Sequence, residues 1–248
     1  MATVLLDRPE TLNSMNDEFM DDIASAIDRA NGDIDVGVVV ITGAGRGFSS
    51  GADLSAVDPD QADAAETVDG MNDHFNPAMR AIKTCRVPTL ARVNGAAAGG
   101  GLGLALACDV AIAARSAFFV ATFGPRLGIV PDLGTTWSLP MRVGHARAMG
   151  MAMLGDRIPA EVAEEWGLIW KCVDDDELDA AVAAATEVLK RTSGEAMQRI
   201  RSSIDSASLR TFSDQLDLER DHQEVLIPLN MSEGASAFMA KREPNFKT

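Results

Sequence analysis

Short apolar runs take turns along this chain with longer stretches in which apolar residues return every three or four positions, a pattern that predicts strands and helices in alternation. Residues 3–6 read as a strand ending at Asp7-Arg8-Pro9. A helix opens at 13–16, carries Phe19, Ile23 and Ile27 on one face and stops at Asn31-Gly32. Residues 36–42 are a β-branched run of buried-strand type, followed by Gly43-Ala44-Gly45-Arg46-Gly47 and then Phe48-Ser49-Ser50-Gly51-Ala52-Asp53-Leu54. The acidic, alanine-rich segment 58–74 leads into helix up to about residue 84, with mobility expected over 57–69. Strands are expected again at 87–93 and 108–114. Phe118-Phe119 and the 127–134 turn then lead to a helix from Thr135 or Thr136. Beyond Gly144 the one further strand is placed at 168–173. The rest reads as helices at 145–154, 160–166, 176–192, 194–208, 213–226 and 231–241. Alternation of this kind points to α/β layering with parallel early strands.

Residues 87–109 hold the densest local signal. An apolar run ends at Asn94-Gly95, meets Gly99-Gly100-Gly101 and continues as an uninterrupted apolar segment through Leu102, Leu104 and Leu106. Strand, glycine turn and buried helix follow from it. Without a Cβ, a backbone N–H at Gly100 or Gly101 can approach a ligand oxygen closely, and a helix N-terminus there favours negative charge. No Gly-Lys-Ser/Thr follows, and in a G-x-G-x-x-G frame from Gly99 the last place falls on Leu104, so phosphate cradling is disfavoured. Taken alone, the small residues serve equally well for packing a buried helix tightly on a sheet. The strand-then-glycine-loop pattern occurs twice, however, after Ile41 and after Val93. Two such loops side by side would offer one backbone donor each to a single carbonyl oxygen, and one such donor contributes about 3–4 kcal/mol to a transition state.

Composition narrows the setting. With 248 residues, 46% of them hydrophobic, the chain suits one large domain or one domain with a small appendage. Cys85, Cys108 and Cys172 are odd in number and never spaced C-x-x-C, so neither a disulfide framework nor a zinc site is expected and reduced cytoplasm is the natural setting. Asp7, Arg8 and Glu10 stand where a signal peptide would need an apolar core, and the longest uncharged run, 93–108, is too short to span a bilayer. A net charge of −15 disfavours nucleic acid and anionic membranes as partners, and requires a local basic patch for any anionic ligand. His74, His145 and His222 are scattered without metal-like spacing, and Trp137, Trp166 and Trp170 are expected to pack, Trp137 being the one that could also line a pocket.

The motifs taken together resemble the crotonase superfamily, the enoyl-CoA hydratases and isomerases. Those that carry the likeness are Arg8-Pro9-Glu10-Thr11-Leu12-Asn13, the 48–54 run, Val93-Asn94-Gly95, Gly99-Gly100-Gly101, Cys108-Asp109, Phe238 and Lys241-Arg242. The resemblance implies an α/β fold, a crotonase-like spiral of β-β-α units over 1–190 holding the CoA and acyl site. A helical C-terminal region, 191–248, would mediate a homotrimer or a hexamer built as a dimer of trimers. It implies Ala52 and Gly100 as the N–H donors to the thioester carbonyl of an acyl-CoA, with Ala52, Asp53 and Leu54 along the CoA adenine. Arg8 becomes a phosphate or ribose contact, and Phe238 and Lys241 reach over the nucleotide from a neighbouring subunit. No cofactor beyond the CoA thioester of the substrate is implied, and no metal.

Departures from that family pattern bear on the chemistry. Where its hydratases carry two glutamates, this chain has Gly103 and, at or next to the second place, Gly124 or Phe123, so hydration by that route is not expected. Asp132, in Val130-Pro131-Asp132-Leu133-Gly134, matches the acid of isomerase branches. The surroundings of Trp137, Trp166 and Gln215 are similar to those of the phenylacetate-pathway ring-epoxide isomerase group. Asp132 is thus expected as the proton shuttle of a double-bond shift, against the plainer job of capping the helix that begins near it. Residues 57–80 and 119–123 are expected to wall the acyl group. Two rival functions are hydration with a different water site, and acyl-CoA binding without turnover.

Overall fold

The computed structural model describes residues 1–56 and 64–246, and among these the strands form two sheets. Strand β1 (Ala2–Leu6) is followed by helix α1 (Asp17–Gly32), whose N-cap Asn16 accepts the Phe19 N–H at 3.0 Å. Met20, Ile23, Ile27 and Ala30 bury its inner face, and Phe19, expected there, is only half-buried. Each of the large side chains contributes about 1.5–3 kcal/mol by leaving water.

From here the chain repeats one move: a strand in the first sheet, a tight turn, a short strand in the second, then helix. Strands β2 (Val39–Gly43) and β3 (Gly47–Ser49) lead to α2 (Ala64–Gly70), a π-helical turn (Met71–Phe75) and α3 (Asn76–Lys83). Strands β4 (Thr89–Val93) and β5 (Ala96–Ala98) lead to α4 (Gly100–Ala107), and β6 (Val110–Ala114) and β7 (Phe118–Val120) lead to α5 (Thr135–Leu154). The short β8 (Ile158–Pro159), α6 (Ala160–Glu165) and β9 (Lys171–Val173) complete the layers. Sheet one, β1-β2-β4-β6-β9, is parallel throughout; sheet two, β3-β5-β7-β8, is parallel except where β8 meets β7. The resulting β-β-α spiral agrees with the expected fold class. Helices α7 (Leu178–Lys190), α8 (Gly194–Ser206) and α9 (Phe212–Met239) follow.

Several boundaries differ from the periodic reading. Strand β2 begins only at Val39, leaving Val36, Gly37 and Val38 outside it, and only the last three residues of 168–173 pair as a strand. Strands β3, β5, β7 and β8 are not among the elements expected from sequence, because two or three residues carry no period of their own and are ordered by their neighbours in the sheet. The helices placed at 213–226 and 231–241 are one, running through Pro228. Most of the segment expected to be mobile, 57–63, lies outside the described residues. Among the described residues no helix is long and apolar enough to cross a membrane.

Cys108-Asp109 marks the joint between core and C-terminal helices. Both Asp109 carboxylate oxygens accept from the Arg201 guanidinium of α8 at 2.6 Å, and Asp109 Oδ2 also accepts the Thr89 N–H at 2.8 Å. This bidentate pair is largely shielded from water, which strengthens it relative to a surface ion pair.

Candidate active site

The two glycine loops meet. A Cβ placed on Gly51, which sits at φ +91°, would stand 2.9 Å from the Gly100 nitrogen, so only a residue without one allows this approach. Gly100 heads α4, where an N–H has no partner inside the helix. Ala52 is bracketed by Met15: the Met15 N–H donates to the Gly51 carbonyl and the Asp53 N–H donates to the Met15 carbonyl, both at 2.8 Å. Because successive peptide groups of an extended chain point to opposite sides, the Ala52 N–H is turned away from Met15. Among the described residues neither the Ala52 nor the Gly100 N–H has a protein acceptor. The outcome is two unspent donors on adjoining loops.

Beneath Gly100 lies the turn that carries Asp132. Leu133 is buried in the left-handed region at φ +49°, an uncommon and strained conformation for a branched residue, and Gly134 follows at φ +74°. A Cβ on Gly100 would come within 2.8 Å of Leu133 Cδ1, so Asp132's neighbour packs directly against the loop. Asp132 itself is half-buried. Burial pushes its carboxyl above the usual carboxylate range, while a hydrogen bond from its own backbone N–H pulls it back. It does not cap the helix: the N-cap of α5 is Gly134, and no side chain bonds there.

No carboxylate stands at the places where the resemblance puts the hydratase glutamates, 103 and either 124 or the buried Phe123. A Cβ on Gly103 would stand 2.8 Å from the Leu133 carbonyl oxygen and 2.9 Å from Leu133 Cβ; one on Gly124 would stand 2.8 Å from the Ala152 carbonyl oxygen. Any side chain there must displace backbone. A cavity of about 240 Å³ runs on from Leu133 and Gly134 along Met79, Arg80, Leu106 and Trp137, with Lys83 Nζ 5.1 Å above the Trp137 ring. Asp132 does not line it. Of the residues expected as acyl walls, Met79 and Arg80 line this cavity, Phe119 and Phe123 belong to the core, and residues 57–63 lie outside the described residues.

Residues that periodicity does not single out hold the turn between β2 and β3, which leads into the segment bearing Ala52. Asn13, fully buried at φ +57°, donates from Nδ2 to the carbonyls of Ala44, Gly47 and Phe48 at 2.9–3.1 Å, and its Oδ1 accepts the Arg8 N–H. Asn94 reaches the same turn from β4, accepting the Gly43 N–H and donating to Gly45 and Gly47. The side-chain signal available in sequence was the motif itself, Asn13 and Asn94 each standing beside a glycine or a turn. Arg8, expected at a phosphate or ribose, is bound to Asp53, with Nη2 2.8 Å from Oδ2. Leu54 is exposed on a single helical turn beyond it. Phe238 is 85% exposed at the end of α9, Lys241 lies just past it, and among the described residues neither bonds to the 51–54 loop.

Comparison with known proteins agrees with this architecture. The family model described as Enoyl-CoA hydratase/isomerase matches residues 1–248. The chain is 42% identical over 248 residues to the 1,2-epoxyphenylacetyl-CoA isomerase of Escherichia coli, covering 99% of this chain and 94% of that one. It is 39% identical to a Rhodobacter capsulatus protein named probable enoyl-CoA hydratase, over the same shares of the two chains. The crystal structure of an enoyl-CoA hydratase from Polaromonas sp. JS666 superposes with a TM-score of 0.91 at 32% identity, covering 98% of this chain and 95% of the other.

Proposed function

The chain belongs to the enoyl-CoA hydratase/isomerase family, and from that premise we propose that it shifts a double bond within an enoyl-CoA through a thioester enolate. The Ala52 and Gly100 N–H groups receive the thioester oxygen and stabilise it as negative charge develops there. Asp132 removes a proton from the carbon on one side of the double bond, and the enolate electrons move to form the conjugated or deconjugated isomer. The same carboxyl, whose proton exchanges with solvent between the two steps, then protonates the far carbon, so no atom is gained or lost overall. Burial suits the group to this work, since a base in the ordinary carboxylate range holds a proton too weakly to shuttle it well. One observation carries the reading over hydration: a partly desolvated carboxylate on the turn packed against Gly100, with no acid at 103 or at 123 and 124, where the resemblance puts the pair that holds water. Relatives bear both isomerase and hydratase names, and the lack of a carboxylate at 103 and at 123 and 124 supports the isomerase reading.

In D2O, a panel of 3-enoyl-CoA thioesters should give 2-enoyl products with deuterium at the α or γ carbon. Water addition to crotonyl-CoA without such exchange, or binding without exchange, would sink the proposal. Under this reading Ala52, Asp53 and Leu54 lie along the CoA adenine.

The same reading includes a homotrimer, single or doubled. Helix α9 has 28 residues of which only Ala237 is buried, while Leu216, Ile227, Leu229, Met231 and Phe238 lie exposed along it. Apolar side chains left this bare call for a partner, and a second copy of the chain would provide one, bringing Phe238 and Lys241 over a neighbour's nucleotide. Leu229→Glu should therefore shift sedimentation toward the monomer with little loss of helical circular dichroism; an unchanged mass would count against α9 as the interface.

A further inference from the structure

Arg8 stands at the end of β1, and the residue it holds lies 45 positions along the chain, immediately after Ala52. Its Nη2 donates to Asp53 Oδ2 at 2.8 Å and its Nη1 to the Ser14 carbonyl at 2.8 Å, and these side chains are only 27% and 10% exposed for Arg8 and Asp53. The other Asp53 oxygen, Oδ1, accepts the Ser55 hydroxyl at 2.6 Å and the Ser55 N–H at 3.2 Å. With Met15 holding the backbone on both sides of Ala52, the Asp53 side chain is the remaining freedom of this loop, and Arg8 removes it. Neutralised by a carboxylate at hydrogen-bond distance, the guanidinium has little charge left for a phosphate.

We infer that Arg8 is a positioning residue, which acts through Asp53 to aim the Ala52 N–H at the thioester oxygen. This inference rests on the oxyanion role given to Ala52 above. The clamp is permanent at working pH: the Ser55 hydroxyl and then Arg8 hold the Asp53 carboxyl down to about 2, so it stays ionised. Planar geometry matters as well as charge, because a guanidinium can serve the Asp53 and Ser14 oxygens at once and an ammonium cannot do so in the same plane. Misplacing a catalytic group by about 1 Å costs on the order of a hundredfold in rate.

The test compares an enoyl-CoA with the same enoyl group on pantetheine, which lacks the nucleotide phosphates. Arg8→Met and Asp53→Asn should each lower kcat about 10- to 100-fold on both thioesters alike. The double variant should be no worse than either single one, and Arg8→Lys should recover only part of the loss. A rise in KM confined to the CoA thioester, with kcat unchanged, would make Arg8 a phosphate contact and overturn the inference. Amide hydrogen exchange of the ligand-free protein gives a second readout. Exchange over residues 50–56 should quicken in both single variants, and unchanged exchange would also overturn it. Should the wild-type protein turn over neither thioester, the proposed function fails while the exchange measurement still decides the role of Arg8.

Discussion

Asp132→Asn lowers enoyl-CoA isomerisation at least about 100-fold, the ordinary worth of a positioned acid–base group, and at the same time raises the melting temperature at pH 7. Both effects have one origin. The folded protein holds the Asp132 carboxyl partly out of water, so its pKa lies above the value of about 3.9 of an unfolded chain. Between those two values the native state binds more protons than the unfolded state, and stability therefore falls as pH rises through that window and stays lower above it. The wild-type protein carries the cost of a desolvated anion at neutral pH, whereas the amide does not. Melting curves of the two proteins should converge as pH falls below the window, and the wild-type rate should decline over the same window as the base becomes protonated. An Asn variant that retains turnover would remove Asp132 from the mechanism. One that is inactive and also less stable at pH 7 would assign it a structural role instead.

The second large effect concerns the approach of the two loops. Gly101→Ala should destabilise the fold by about 3 kcal/mol, since an added Cβ would overlap the Ser49 carbonyl oxygen and lie 2.9 Å from Ser49 Cβ, and backbone cannot step aside as a side chain can. In a chain of this size that is a fall of about 6–12 °C in melting temperature. Pushing the 48–53 loop off α4 also separates Ala52 from Gly100, so residual activity at a permissive temperature should drop as well. Gly150 in α5 is the control: a Cβ there meets nothing within 4 Å, and Gly150→Ala should stabilise by about 0.5–1 kcal/mol. If Gly101→Ala melts like the wild type, the tight apposition of loop and helix described above is wrong.

Much of this fold is legible along the chain because the signals are local. The period of apolar residues in 17–32, the β-branched run before Gly43 and the glycine triplet at 99–101 each state a preference that no distant residue is needed to express. The recurrence of strand and glycine loop is enough to suggest that two loops share one oxygen, and Gly51 and Gly100 do lie against each other. The plainer alternative for Asp132, a helix cap, is equally local, and sequence cannot discard it; what does so is the position of the N-cap at Gly134.

Local pattern is enough for the alternation of strands and helices, for the glycines at which backbone could come close, and for the lack of acids at 103 and at 123 and 124. How the polar groups are spent follows only from the folded core. That Arg8 is spent on Asp53, that Asn13 and Asn94 clamp one turn from two directions, and that Leu133 fills the space above Gly103 all depend on how the two sheets are set against each other. Hydrogen bonds and close packing act over a few ångströms, and residues tens of positions apart come within that range only after the whole core has closed.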